Sequence, residues 1–434
     1  MPQSSPLLRS RLFISKWDNS TTNPNNTMFQ LSSDEEFHFE LLRVLAMAPY
    51  EGSDIGETLL AINNVVPGSF DSFTATFTDL AARTSQAARA INAAKHPVSA
   101  RQALFRAATY YRSADFFVRA NWSDPRIISV WASALDAFQG AVKLYPHPAR
   151  TFSIPTAHGF AVPGYFFPAA GPPGRRRPTL ILGNGYDGSQ EEMWHVAGAA
   201  ARERGINVVL YEGPGQATVR RAQGVGFVPQ WERVVTPLLD WVLQQPEVDP
   251  GAVGLLGLSF GGYLAPRAAA FEHRLAAVIA IDGMHDFGAA IIAPLAEHPV
   301  LGPLWAAGNA TAFDRVLLGA LPSLPTQPRW FFEQGMWAFN TPSPFAMLTQ
   351  LKAYNLTADV AKGIRCPAFI ADADHDAQFA GQGKALAGLL GEKATYHLFK
   401  AADGAGEHCS LGASVMQNQV VLDWFMDVIG KSEV

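Results

Sequence analysis

The residues best placed to do chemistry lie in Gly257-Leu258-Ser259-Phe260-Gly261, inside VGLLGLSFGGYLAPRAAAF, which begins at Val253. A serine with glycines two before and two after fits G-x-S-x-G. That spacing suits a nucleophile on a sharp strand-to-helix turn, where the backbone is strained and larger flanking residues would clash. The run VGLLGL reads as the strand and GGYLAPRAAAF as the helix, each on the correct side. The chemistry would be addition of the Ser259 oxygen to a carbonyl. The alternative is an ordinary serine in a glycine-rich connection. The Phe260 N–H, at a helix N-terminus, is a natural donor to the negative charge that develops on the carbonyl oxygen.

Such a serine needs a base and an acid, and behind this type of turn the chain order is serine, acid, histidine. Of 11 histidines, only His397 and His408 lie well beyond Ser259 and after the last strand pair begins. His397 falls inside the apparent strand TYHLF. His408 lies in the small-residue loop ADGAGEHCSLGA, which can deliver an imidazole to the serine. The acid is expected at the end of CPAFIADADHDAQF, where Asp372, Asp374 and Asp376 compete. A count of nine residues from Pro367 reaches Asp376, with Asp374 as the next choice. The acid would hold the tautomer of His408 and stabilise its imidazolium. His375 reads as a loop residue.

A second motif, Gly183–Gly188, reads G-N-G-Y-D-G and matches G-x-G-x-x-G between a strand and a helix. Glu212 ends the next strand, roughly where a dinucleotide-binding unit places its ribose acid. A remote alternative is therefore a dinucleotide-binding oxidoreductase. Against it, two strands precede the motif, Glu212 runs into the rigid turn GPGQ, and Glu191 and Glu192 sit where a pyrophosphate would lie. The same loop suits a different role, in which the N–H of Tyr186 or Asp187 is the second donor to the oxyanion. No cofactor is expected. No metal is expected either, because there is no H-E-x-x-H and no Cys or His pairing at zinc spacing.

The elements that would position these residues form two regions. Residues 1–30 are polar and read as a flexible arm, and residues 31–150 as a helical N-terminal domain. In SSDEEFHFELLRVLAMA and PVSARQALFRAATYYRSADFFVRANW, capping residues precede apolar positions at helical spacing; Ser99 with Gln102 resembles a capping box. From 151 to 434 apolar runs alternate with helical segments, which argues for an α/β class with a mostly parallel central sheet. Residues about 284–360 interrupt that alternation and read as a helical lid insertion. Its Trp305, Trp330, Phe331, Phe332, Met336, Trp337 and Phe339, with Tyr110, Tyr111 and Phe117 of the helical domain, are candidates to line an apolar pocket. Each could equally pack a local core.

Composition narrows the partners. Charged residues make up 16% and the formal net charge is −5, so bulk electrostatics recruit neither nucleic acid nor an anionic membrane. The shortage of surface charge suggests that a homodimer partner covers some of it. With two cysteines, Cys366 and Cys409, a disulfide framework is excluded and a reducing compartment, the cytoplasm, is expected. The sequence offers no signal-peptide core and no apolar run of spanning length.

Taken together, GNGYDGSQEE, YEGPGQ, GLSFGGYLAPRAA, CPAFIADADHDAQF and GAGEHC resemble the FrsA-like α/β-hydrolases with a helical N-terminal domain. Within that family the likeness is to fungal hydrolases of polyketide metabolism, some of which cut a carbon–carbon bond. Dihydroxypseudooxynicotine hydrolase has the same layout. The resemblance covers roughly residues 95–430. It implies an α/β-hydrolase fold, a triad of Ser259, Asp376 and His408, a functional acid at Asp187, and a dimer. For Asp187 the alternative is a turn-forming aspartate before glycine. The expected activity is a serine hydrolase cleaving a C–C bond of a β-dicarbonyl intermediate, or an ester, in an apolar, polyketide-like small molecule. Rivals are a carboxylesterase or thioesterase, and a cyclase or dehydratase that would tolerate loss of Ser259.

Overall fold

Eight strands form one sheet: β1 Arg150–Pro155, β2 Ala161–Phe167, β3 Arg177–Gly183, β4 Asn207–Tyr211, β5 Val248–Leu258, β6 Ala277–Ile281, β7 Ala368–Ala373 and β8 Ala394–Phe399. The computed structural model describes residues 28–170, 174–376 and 379–430, so the expected arm lies outside the described residues up to residue 27. The strand order is β1-β2-β4-β3-β5-β6-β7-β8. From β4 to β8 all pairings are parallel, while β1–β2 and β2–β4 are antiparallel. β4, β6 and β7 are buried along their whole length. That explains why NVVLY, AVIAI and AFIADA are apolar runs without alternation: helices cover both sheet faces.

The strand order reverses at β3. There the C-terminal ends of β3 and β5 lie side by side, with Gly183 opposite Gly257. Ligands of open α/β sheets bind in the crevice beyond such a reversal. The loop Gly183–Gly188 and the turn at Ser259 therefore open onto one space, although some 75 residues separate them in sequence.

Among the described residues five α-helices precede the sheet: α1 Glu35–Leu45, α2 Ile55–Ile62, α3 Phe70–Ala90, α4 Pro97–Asp115 and α5 Arg126–Val142. They pack on Phe37, Phe73, Phe77, Tyr110 and Phe117. Asp34 caps α1, accepting from the Phe37 N–H at 3.0 Å. The Ser99–Gln102 capping box does not form. α4 starts earlier, at Pro97, whose fixed φ suits a first helical position and whose missing N–H needs no cap. Between β6 and β7 run Phe287–Ala296, Leu301–Ala306, Ala310–Ala320, Thr326–Ala338, Pro344–Leu351 and Ala358–Ala361. The Thr326 hydroxyl donates to Asp34 at 2.8 Å, tying this insertion to α1 above the sheet edge. Among the described residues no helix is long and apolar enough to cross a membrane.

Candidate active site

Ser259 follows β5 with φ +59°, the left-handed region that non-glycine residues rarely occupy. Its N–H donates to Ile281 O at 3.0 Å, which fixes the turn to β6. A Cβ on Gly257 would lie 1.9 Å from Gly261 O, and one on Gly262 2.1 Å from Asp282 O. Gly261 is less confined, its nearest contact being Asn184 O at 3.1 Å. The close approaches thus fall two before and three after the serine.

His408 Nε2 lies 2.8 Å from Ser259 Oγ. On the other side of the ring, Nδ1 lies 2.6 Å from Asp376 Oδ2 and 2.8 Å from Asp282 Oδ2. Asp282 is the residue directly after β6, at φ +54°, and it also accepts the Cys409 N–H. Burial pushes the Asp282 carboxyl up to about 6, with Asp376 adding to the effect and His408 opposing it. Burial also opposes charge on Asp376, but His408 outweighs it and holds that carboxyl below the usual range. For His408 burial disfavours the cation, yet Cys409 and the two carboxylates together raise it well above an ordinary imidazole. Asp282, His408 and Cys409 bring an oxygen, a nitrogen and a sulfur within 4.8 Å of one another. With Nδ1 between two carboxylates and Nε2 on Ser259, His408 has no ring nitrogen left for a cation.

The three competing aspartates divide the work. Asp372 accepts from the Gly383 and Lys384 N–H groups and the Tyr396 hydroxyl. Asp374 accepts the Ala401 N–H at 2.7 Å, and His375 N–H donates to Gly406 O, so both brace the loop that carries His408. Only Asp376 of the three reaches the imidazole. His397 stays on β8, packed between Phe369 and Phe399.

The glycine loop abuts the serine. A Cβ on Gly185 would lie 2.7 Å from Phe260 N and 3.0 Å from Ser259 Cβ. The N–H groups of Phe260 and Tyr186 donate to no acceptor among the described residues. The Tyr186 hydroxyl donates to Phe331 O at 2.8 Å, and its ring stacks on Phe331. Glu212 cannot serve a ribose: it is fully buried and accepts from the Gln190 and Thr218 N–H groups. The dinucleotide reading fails on that contact.

A cavity of about 980 Å³ opens over Ser259 and His408. Phe39, Met284, Phe287, Trp330, Phe331 and Phe379 supply apolar wall, and Asp187 lines it too. Arg43 of α1 binds Asp187 at 2.9 Å, Glu40 at 3.0 Å and Glu192 at 2.5 and 2.7 Å. Asp187 is therefore the anchor of a bridge between α1 and the loop after β3.

Eight of the ten candidate pocket residues lie elsewhere, Trp305, Met336 and Phe339 among them. Tyr110 is enclosed in the helical core, its hydroxyl donating to Glu57 and accepting the Asp54 N–H. Tyr111 packs against the same core. Phe332 is fully buried and Trp337 lies beneath the guanidinium of Arg119. On the helix Thr326–Ala338, Trp330 and Phe331 face the cavity, and one step of about 100° turns Phe332 away. Phe117, another candidate, stacks on Phe70. Sequence reading missed Asp282, although LAAVIAID ends a strand with an acid as CPAFIADAD does. It also missed Arg43 and Glu36, for which no local signal exists.

Residues 180–414 match the alpha/beta hydrolase family. The chain is 30% identical to the alpha/beta hydrolase psoB of Aspergillus fumigatus, covering 80% of this chain and 81% of that one. It is 27% identical to the 20-hydroxy-prefusarin hydrolase FUS2 of Gibberella moniliformis, covering 92% and 97%. The crystal structure of 2,6-dihydroxy-pseudo-oxynicotine hydrolase superposes with a TM-score of 0.69 at 21% identity, covering 89% of this chain and 95% of that one. The matched span runs from β3 through the His408 loop, the part of the sheet that brings serine and imidazole together. On fold, sequence and site geometry alike, this chain belongs to the alpha/beta hydrolase family.

Proposed function

We propose that the protein is a serine hydrolase of fungal secondary metabolism that cleaves a C–C bond of a β-dicarbonyl polyketide-like intermediate, or an ester, through an acyl-enzyme. The observation that carries this reading is the 2.8 Å contact between His408 Nε2 and Ser259 Oγ, with Asp376 on Nδ1 of the same ring. Support for the substrate class comes from the large apolar cavity and from the relatives named as hydrolases, FUS2 among them.

Ser259 Oγ gives its proton to His408 Nε2 and forms a bond to the substrate carbonyl carbon. The resulting oxyanion accepts from the N–H groups of Phe260 and Tyr186. Collapse breaks the bond between that carbon and its α-carbon. The electron pair leaves as an enolate, whose charge is delocalised onto oxygen, and His408 returns the proton to it. Water then attacks the acyl ester, giving its proton to His408, and Ser259 departs as the hydroxyl. Asp187, ion-paired to Arg43, holds the loop that supplies the second donor.

A panel of matched aryl esters, thioesters and β-diketones tests the scissile bond. Cleavage of the diketone into a carboxylic acid and a ketone is expected; turnover of the esters alone would assign the protein as an esterase and end the C–C reading. The paired carboxylates yield a sharper expectation. Asp376→Asn keeps more activity than the loss of about 10⁴ that follows amidation of a lone triad acid, because Asp282 still accepts Nδ1–H. Asp282→Asn removes a negative neighbour, so the His408 pKa falls and the acid limb of kcat/KM moves down by about one pH unit. An unmoved limb would show that Asp282 does not tune the base.

A further inference from the structure

Glu36 lies in the first turn of α1 and lines the cavity over Ser259. It is 6% exposed, and its carboxyl has no hydrogen-bond or ion-pair partner among the described residues. Its neighbours are all committed. Asp34 accepts from Thr326 and from the Phe37 N–H. Glu40 is held by Arg43 and Arg112, Glu192 by the same two arginines, and Asp187 by Arg43. Four of the five Arg43 N–H donors go to three carboxylates. Three residues after Glu36 on the same helix, Phe39 packs toward the His408 ring, with centroids 6.4 Å apart. Spacing of i and i+3 puts both side chains on one helix face. The unpartnered carboxyl and the nucleophile therefore address the same space.

Resting on the hydrolase reading above, we propose that Glu36 is a substrate anchor: its carboxyl hydrogen-bonds a neutral oxygen-bearing group, a hydroxyl or ketone, on the part of the substrate remote from the scissile bond. A buried carboxyl with no partner must take one from whatever fills the cavity. Burial is the largest influence on Glu36 and favours the proton-bearing form; Glu40, Asp187 and Asp34 push the same way, and Arg43 opposes them. The protonated acid offers one donor and one acceptor, which complements a hydroxyl. An anionic tail would meet Glu40, Asp187 and Glu192, whose arginines are already paired among the described residues.

The test uses the full-length Ser259→Ala protein and β-diketone probes of one length that end in methyl, hydroxyl, carboxylate or ammonium, with Kd measured calorimetrically. The hydroxyl probe is expected to bind about 5-fold tighter than the methyl probe, and the carboxylate probe weakest of the four. Glu36→Gln, which keeps a donor and an acceptor without charge, retains the hydroxyl preference; Glu36→Leu loses it. A ketone-ended probe of the same length, which can only accept, loses affinity for the parent protein as pH rises and Glu36 ionises among Asp34, Glu40, Asp187, Glu192 and Arg43, whereas for Glu36→Gln it does not. Tightest binding of the ammonium probe, abolished by Glu36→Gln, would overturn the proposal in favour of a cation site. A hydroxyl preference that survives Glu36→Leu, or none at all, would also overturn it. The readout is binding to a protein without the nucleophile. Failure of wild-type protein to cleave the same probes would strike the hydrolase reading and leave the affinity pattern standing.

Discussion

Replacing Ser259 with alanine is expected to reduce kcat by up to about 10⁶-fold, the scale seen when a triad serine is removed. No acyl adduct should then form on incubation with a β-diketone or ester substrate. The fold should survive. The Ser259 side chain makes one hydrogen bond, to His408, and the turn is set by the Ser259 N–H bond to Ile281 O and by the glycines around it. Alanine inherits the same positive φ, so the strain is common to both proteins. Intact-protein mass spectrometry and a thermal melt check the two halves. The wild type should gain the mass of the acyl half, the variant should gain nothing, and the melts should coincide. Full activity in Ser259→Ala would remove the covalent mechanism and favour a cyclase or dehydratase role, in which His408 and the cavity act without the serine.

The largest effect on stability is expected from Arg43→Leu. This guanidinium neutralises Glu40, Asp187 and Glu192 at a junction that α1, the loop after β3 and the helix Gln190–Met193 share. Leucine removes the cation and leaves the carboxylates behind, which costs about 3–5 kcal/mol when a buried pair is broken from one side. Arg112 remains near Glu40 and Glu192, but Asp187 then has no cation among the described residues. Chemical denaturation at neutral pH measures the loss. The pH dependence gives a second signature. Burial pushes the Glu192 carboxyl up, but Arg112 and Arg43 outweigh it and bring it down to about 2. A carboxyl depressed in the folded state stabilises fully above its unfolded pKa of about 4.3, and that stabilisation is lost as pH falls toward 2. In Arg43→Leu the folded value rises, so the acid loss sets in at higher pH. A variant with wild-type stability and an unchanged acid profile would mean that Arg43 contributes no net stability to the junction.

The two expectations differ in how far the sequence foreshadows them. Ser259 is legible because everything that makes its turn is local: a strand, two glycines and a helix within a dozen residues. His408 and Asp376 are legible because strand ends and short loops deliver side chains to one sheet edge in a fixed order. Arg43 meets Asp187 across 144 positions, and no spacing rule links a residue on an early helix to a turn so far along the chain. Asp282 carried a readable signal, an acid ending a strand. Its importance depends on β6 and β7 being neighbours with their ends level, so that two acids reach one imidazole.

The aromatic residues mark the same boundary. Composition shows that the insertion is rich in rings, but whether a ring faces substrate or core depends on how its helix is rolled. Trp330 and Phe331 face the cavity, whereas Phe332 and Trp337 do not. In the helical region Tyr110 is a pocket candidate by residue type, yet Glu57 and the Asp54 N–H claim its hydroxyl.

By itself, then, the sequence determined the class of fold, the serine turn with its glycines, and the ordered trio at the strand ends, because short-range sterics and the hydrophobic periods of strand and helix encode these directly. The tertiary structure decided the second carboxylate at His408, the Arg43 bridge that seats α1 over the sheet, the choice of cavity aromatics and the unpartnered Glu36. Each of these depends on the relative placement of elements distant in sequence, which packing sets and no local pattern records.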